Sequence, residues 1–408
     1  MTPDAAARIR AALDRLAGDL PALGLAVSGG GDSVALMHVA AGWARGRRVM
    51  VATVDHGLRD GSAAEAEEVA RAARALGLPH ATLLWRRDTQ AGNLMAQARD
   101  ARLRLLSGWA QRNALPAVAL GHTANDLAET LVMRLARGSG VDGLSAMADW
   151  RDAFDMRWLR PVLDVGRAEL RDWLRTRQID WIDDPTNDNA DYDRVRARQA
   201  IASLGLDVAG LARSAAHIAE ARDALADYAA LVSKEAEARQ GSLTLSRAAL
   251  REAPPEIRRR ILVAACRWVT GADYPPRRAT LTHALAAVMA QGRVTMDGAM
   301  ISPTATGLRF TREAAAALRS PPATGAIWDR RWRIEGLAPG QHVAALGPGP
   351  LSRLSWRDSG LLRDEAAASP GIWQGQALLA APLLREAPEW TLRPLRAASD
   401  FRRLVKAH

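Results

Sequence analysis

The chain has 408 residues, too many for one ordinary core, and 48% are apolar, so two or three globular domains are expected. The net charge of +10 points to a polyanionic partner, although every cation except Lys234 and Lys406 is an arginine, so no single arginine weighs much. Cys266 is the sole cysteine, which excludes internal disulfides and Cys-based zinc or iron–sulfur sites, and no run of about 18 apolar residues offers a membrane span, so a soluble cytoplasmic protein is expected.

Residues 4–19 read as an amphipathic helix with Ile9, Leu13 and Leu16 on one face. Leu23 to Val27 is a short apolar run between Pro21 and a set of glycines, the pattern of a buried strand. It enters Ser28-Gly29-Gly30-Gly31-Asp32-Ser33, after which Leu36, Val39 and Ala40 have helical spacing. Strand, glycine turn and helix in that order form an anion cradle. Glycines let a ligand approach backbone N–H groups, and the helix start and the hydroxyls of Ser28 and Ser33 add to the attraction. The loop lacks the lysine of GxxxxGK[ST] loops and the spacing of GxGxxG loops. Asp32 inside the cradle would repel phosphate unless a divalent cation bridged the two, and Mg2+ on oxygen ligands suits that place. A glycine-rich turn that binds nothing is the alternative.

Arg48 to Asp55 is a second buried strand ending in Asp55-His56-Gly57-Leu58-Arg59, and Ser62 and Glu65 have capping-box spacing ahead of a helix through Leu76. Ala81 to Trp85 is a candidate third strand, Asn93 to Trp109 a helix, and Ala117 to Leu120 a fourth strand ending in Gly121-His122. A helix from Ala124 to Ala136, closed by Gly138, follows. Strands alternating with helices imply a parallel sheet, whose ligands bind beyond the carboxyl ends of the strands. Ser28 to Ser33, Asp55 to Arg59 and His122 to Asp126 all fall there, and one cleft can hold them. His122, Asp126 and Glu129 share one helical face, opposite an apolar face of Leu127, Leu131 and Leu135. Two carboxylates and an imidazole could hold an ammonium and take its proton. The plainer reading is a Thr123 cap with acidic residues favouring the helix start.

SGGGDS, VDHGLR, ARDARLR, GHTANDLAET, LARGSGVDGL, LRPVLDV and WIDDPTN occur in the order found in tRNA(Ile)-lysidine synthases, and residues 20–200 resemble that family. The resemblance implies a Rossmann-like PP-loop domain that splits ATP to AMP and pyrophosphate. ATP would adenylate the C2 oxygen of the wobble cytidine in a CAU anticodon. The amine of free L-lysine would then displace AMP to give lysidine, changing decoding from AUG to AUA and identity from Met to Ile. It also implies that Ser28, Gly29, Gly30, Gly31, Asp32 and Ser33 hold ATP, with Asp32 as metal ligand and Asp55 and His56 beside the nucleotide. Arg99 would neutralise phosphate, with Arg102 on the same face. Asp126 and Glu129 would recognise lysine and activate its amine, supported by His122. Expected partners are tRNA(Ile) with a CAU anticodon and free L-lysine, with a homodimer as a possible assembly and no membrane. Two positions depart from the family pattern. Gly31 replaces the usual Val or Ile, which should loosen the loop. Val195 replaces an asparagine between Arg194 and Arg198, which are expected either to contact RNA or to face solvent.

Beyond residue 200 the signal weakens. Leu211, Ile218, Leu225 and Val232 recur every seven residues, with Tyr228 on that face, as in a long packed helix. A helix with Arg258-Arg259-Arg260 precedes strand-like pieces at Val294–Met296 and Leu308–Phe310. Ser320 to Gly325 reads as a linker. Trp328, Trp332, Trp356, Trp373 and Trp390 fit core packing better than base stacking. The expected domains are a catalytic domain over 1–200, a helical or mixed tRNA-binding domain over 201–319 and a small α+β or β recognition module over 326–408. The rivals are a small-molecule amidotransferase or amide synthetase, a tRNA thiolation enzyme and a non-catalytic RNA-binding protein. The first would need an ammonia source and the second catalytic cysteines. The third would have lost its acidic residues.

Overall fold

A strand with small residues on one face and leucines on the other lies at the heart of the first sheet. β1 (Ala22–Ala26) turns Leu23 and Leu25 into one core and Ala22 and Ala26 into another. Gly24 lies on the small face, where an added Cβ would fall 2.9 Å from the Trp109 ring. The strand is thinned on that side to admit an indole.

The computed structural model describes residues 4–57, 61–86, 94–183, 193–305 and 307–407, and the chain divides into two compact units at Ala221/Arg222. Asn93, Leu58, Arg59, Tyr192 and the Asp184-Pro-Thr-Asn187 stretch lie outside the described residues. In the first unit, β2 (Arg48–Asp55), β3 (His80–Leu84), β4 (Ala117–Leu120), β5 (Trp150–Ala153) and β6 (Met156–Leu159) join β1 in the order β3-β2-β1-β4-β6-β5. All pairs are parallel except the β5–β6 hairpin. The helices are α1 (Ala5–Ala17), α2 (Gly31–Trp43), α3 (Ser62–Ala75), α4 (Leu94–Arg112), α5 (Ala124–Ala136), α6 (Val141–Leu144), α7 (Arg167–Arg175) and α8 (Asp193–Ser203), and α9 (Val208–Val232) runs across the division between the units. Ile9 and Leu13 of α1, Leu36 and Val39 of α2 and Leu170 and Leu174 of α7 cover one side of the sheet, and Leu103, Leu106 and Trp109 of α4 cover the other. The chain runs outward from β1 to β3, then returns to place β4 on the other side of β1. That reversal opens a crevice at the carboxyl ends of β1 and β4.

Several local expectations are corrected. The N-cap of α3 is Gly61, with φ +93°, and Ser62 is the first helical residue, because the entry needs a left-handed backbone that glycine adopts without strain. On α5, Leu135 is 52% exposed while Asp126 and Glu129 are buried, since their charges are paired and can leave water. Along α9 the buried line is Ala215, Ala226 and Ala229; the heptad residues Leu211, Ile218, Leu225 and Val232 are half-buried and Tyr228 is exposed.

In the second unit, β7 (Glu237–Arg239), β8 (Ser242–Ser246), β9 (Val294–Met296), β10 (Ala299–Pro303) and β11 (Gly307–Arg312) form an antiparallel sheet ordered β7-β8-β11-β10-β9. Helices Pro255–Thr270 and Ala398–Lys406 share its core through Ile257, Ile261, Phe310 and Phe401. Two three-stranded sheets follow, with Trp328 and Trp332 fully buried between their neighbours and Trp356, Trp373 and Trp390 half-buried. Ser320 to Gly325 is tied down: Ala323 exchanges two backbone hydrogen bonds with Val343, and the Ser320 hydroxyl donates to Asp329 at 2.6 Å.

Trp109→Ala should empty the space that Gly24 makes for the indole, costing about 3–5 kcal/mol of first-unit stability in urea denaturation. A loss under about 1 kcal/mol would show that the sheet collapses onto the gap.

Candidate active site

The loop after β1 is shaped by one glycine and braced by one serine. Gly29 has φ +95°, a backbone that strains any other residue, and a Cβ there would also push on Ile182 Cδ1, 2.6 Å away. Its carbonyl accepts from the Ile182 N–H at 3.0 Å. Ser33 Oγ donates to the Gly30 carbonyl at 2.9 Å and accepts from the Ser28 N–H at 3.2 Å. The Ser28 hydroxyl, 3.3 Å from Ser33 Oγ, sits on the exposed rim. Gly31, expected to loosen the loop, is the buried first residue of α2. A Cβ there would meet Trp181 at an ordinary 3.4 Å. Gly121, at the end of β4, is a close-approach position the sequence reading passed over. A Cβ on it would come within 3.0 Å of Ser33 Cα, so β4 can close on the start of α2 only with glycine there.

Arg167, at the first position of α7, ties the loop to α5. Its Nε donates to Asp32 Oδ2 at 3.0 Å and its Nη1 to Glu129 Oε1 at 3.2 Å, while Nη2 stands 3.8 Å from Asp126 Oδ2. Its backbone N–H donates to Asn125 Oδ1 at 2.8 Å. Asp32, Asp126 and Glu129, chosen from separate motifs, therefore meet on one guanidinium. Arg167 itself was missed, and no local spacing marks it, because its partners lie far away in sequence. Arg194 and Arg198 of α8 turn toward the same carboxylates: Arg194 Nη1 lies 3.8 Å from Asp126 Oδ1, and Arg198 Nε donates to Glu129 Oε1 at 3.0 Å. Val195 between them is buried.

The three carboxylates differ in environment. Burial raises the pKa of Asp32 against the pull of Arg167, and its Oδ1 is buried with no hydrogen-bond partner among the described residues. An orphaned carboxylate oxygen beside a phosphate cradle fits a hard cation. Among the described residues no three acidic, His or Cys side chains cluster to hold a metal, so a cation there would draw its remaining oxygens from phosphate and water. Asp126 is the opposite case. Burial works upward, yet the Thr123 N–H bond, His122, Arg167 and Arg194 outweigh it and depress the pKa. Its Oδ2 accepts from Thr123 N at 2.8 Å and from Thr123 Oγ1 at 2.9 Å, so the expected helix cap and the expected inward carboxylate are the same group.

His122 hydrogen-bonds through Nδ1 to Arg160 Nε at 3.2 Å, not to either carboxylate. Burial lowers its pKa to about 4, with Arg160 and Arg102 pushing the same way and Asp126 opposing. The imidazole is thus neutral at pH 7 and supports the pair only through space. Asp55 ends β2 and accepts from the Gly57 N–H at 2.9 Å, while His56 packs edge-on against Trp85 with a pKa lowered by burial and by Arg102. Arg99 is exposed, and its charge meets those of Arg194, Arg151 and Arg134.

A family model of the PP-loop domain matches residues 1–204. Similar curated proteins include the tRNA(Ile)-lysidine synthase of Ruegeria pomeroyi, 44% identical over 95% of this chain and 94% of its own length. The protein of that name in Methylobacterium nodulans is 38% identical over 74% of this chain and 94% of its own. The one in Mesorhizobium japonicum is 32% identical over 98% and 95%.

With its folded pKa below the ordinary value, His122 contributes stability that is complete above about pH 6.5 and lost as pH falls toward about 4. An NMR titration should place its midpoint near 4. Asp126→Asn, which removes the charge that favours imidazolium, should lower that midpoint further; a rise would mean the hydrogen bond to Arg160 is not kept.

Proposed function

This chain belongs to the tRNA(Ile)-lysidine synthase family, and we propose that it ligates free L-lysine to C2 of the wobble cytidine in the CAU anticodon of tRNA(Ile), consuming ATP. The product, lysidine, pairs with A rather than G. The observation that carries the residue assignment is Arg167, whose one guanidinium spans the phosphate loop and the acidic pair, so nucleotide and amine sites adjoin.

The chemistry divides accordingly. A ring carbonyl is a poor electrophile, so the C2 oxygen first attacks the α-phosphate of ATP and pyrophosphate leaves. Backbone N–H groups of Ser28 to Ser33 and the start of α2 hold the phosphates. The Oδ1 of Asp32 would hold Mg2+, which would neutralise phosphate charge. Asp55 and His56 lie at the next strand end, beside the nucleotide, and Arg99 offers a cation to phosphate. The second step needs an amine with its lone pair free. Asp126 and Glu129 hold the ammonium of lysine and take its proton. The nitrogen then bonds to C2, and the C2 oxygen departs with AMP. Holding both reactants in one crevice is the main source of rate.

Almost all the net positive charge falls in residues 201–408, which supports assigning 201–319 and 326–408 to tRNA recognition. Cys266 is buried, donates Sγ–H to the Met296 carbonyl and has its pKa pushed up to about 12 by burial, so it is no thiolate nucleophile and the thiolation rival loses its support. No described helix is long and apolar enough to cross a membrane, in keeping with a cytoplasmic site of action.

The test supplies ATP, Mg2+ and radiolabelled lysine to the protein with CAU-anticodon tRNA(Ile) or tRNA(Met). Label should enter only the isoleucine tRNA, with AMP released. AMP without incorporation would remove lysine as the nucleophile, and neither product would remove the reaction. Asp126→Asn should bind tRNA normally and lose about 100-fold or more in incorporation; unchanged turnover would take Asp126 out of the chemistry.

A further inference from the structure

Arg167 touches both halves of the site, and we propose that it couples them, holding the acidic pair until nucleotide at the loop draws its guanidinium away and opens the pair to lysine. This rests on Asp126 and Glu129 being the groups that bind the amine. Arg167 is then a positioning residue that sets the order of events, nucleotide before amine.

The geometry is that of a shared and divided cation. One guanidinium faces three carboxylates, at 3.0 Å from Asp32 and 3.2 Å from Glu129 but 3.8 Å from Asp126, so it saturates none of them. A cationic ligand approaching Asp126 and Glu129 must compete with it directly, as well as with Arg198, which donates to Glu129 at 3.0 Å, and Arg194, 3.8 Å from Asp126. Its hold depends on Asp32, the acid inside the phosphate cradle. Phosphate oxygens accept the planar fork of an arginine bidentately and outbid a single carboxylate oxygen. Nucleotide in the loop thus offers Arg167 a stronger partner on the loop side and none on the α5 side. The anchor stays fixed while the head moves, because the Arg167 backbone N–H is bound to Asn125 Oδ1 at 2.8 Å. The sense of the coupling is useful: lysine is admitted when something is present to activate the cytidine. By linkage, lysine must tighten nucleotide binding by the same factor.

Calorimetry on the full chain tests this. L-lysine is titrated with and without Mg2+ and a non-hydrolysable ATP analogue, into the unsubstituted protein, Arg167→Gln and Arg167→Lys. The unsubstituted protein should bind lysine about tenfold or more tighter with the analogue, within the usual range of coupling factors. In Arg167→Gln, where Arg194 and Arg198 still face the pair, lysine should bind more tightly without nucleotide than it does to the unsubstituted protein, and the ratio should fall within about twofold of unity. Arg167→Lys, which keeps the charge but not the fork, should fall between and guards against a folding defect in the first variant. A ratio unchanged in both variants, or an analogue that weakens lysine binding, would overturn the coupling while leaving the site assignment intact. Analogue binding with no lysine binding in any state would instead overturn the reading of Asp126 and Glu129, and the coupling with it.

Discussion

The site depends on keeping three carboxylates together in a crevice that excludes much of the water. Like charges at such distances cannot all stay ionised without cations among them, and a buried acid left unpaired is far more costly than a surface one. Arg167, Arg194 and Arg198 supply those cations, two of them from a helix whose sequence reads as a plain solvated start. The consequence reaches the backbone. α7 must begin where the side chain of its first residue can span from the loop to α5, and α8 must lie along α5. Removing one guanidinium leaves the other charges facing each other.

That cluster can form only because the strands converge closely, and the closeness is written as missing side chains. Gly24 makes room for Trp109, Gly121 lets β4 meet the start of α2, and Gly29 lets the loop turn beneath Ile182. The first packs the sheet and the other two shape the crevice. The reversal of strand order between β1 and β4 explains why the crevice is there at all. Residues from motifs about a hundred positions apart thus end on adjacent strand ends, within one side chain's reach.

This division explains what was legible in the sequence. The bounds of β2, β4 and α5 follow from apolar runs and caps, which are local. Asp32, Asp126 and Glu129 were legible because each breaks its local pattern: an acid in a phosphate cradle, acids on the second face of an amphipathic helix. Arg167 was not, since it follows its local pattern as an unexceptional first helical residue and its meaning lies in partners contributed by α2 and α5. Arg194 and Arg198 stand out in the sequence only as RNA contacts or solvent-facing charges, because spacing gives a helix face and not what packs on it. The burial of Trp328 and Trp332 followed from their size, whereas the alanine line of α9 was hidden beneath a louder heptad.

The carboxylates and their surroundings also differ in what they are prepared for. Asp126 is held ionised by the Thr123 N–H at the start of its helix and by arginines. Asp32, with its pKa raised and one oxygen unpartnered, gains its charge most readily when a cation arrives. Opposite environments on neighbouring acids are how one site performs two roles. The cations show the converse. Arg102 and Arg160 have lowered pKa values, chiefly from burial, with other arginines adding to the effect, and the exposed Arg99 meets the charges of Arg194, Arg151 and Arg134. His122 among them is kept neutral and adds no further charge. Positive charges gathered in this way favour an anionic partner. The two sides of the cluster are thus of opposite sign, an acid with an unpartnered oxygen at Asp32 and several guanidiniums around a neutral His122.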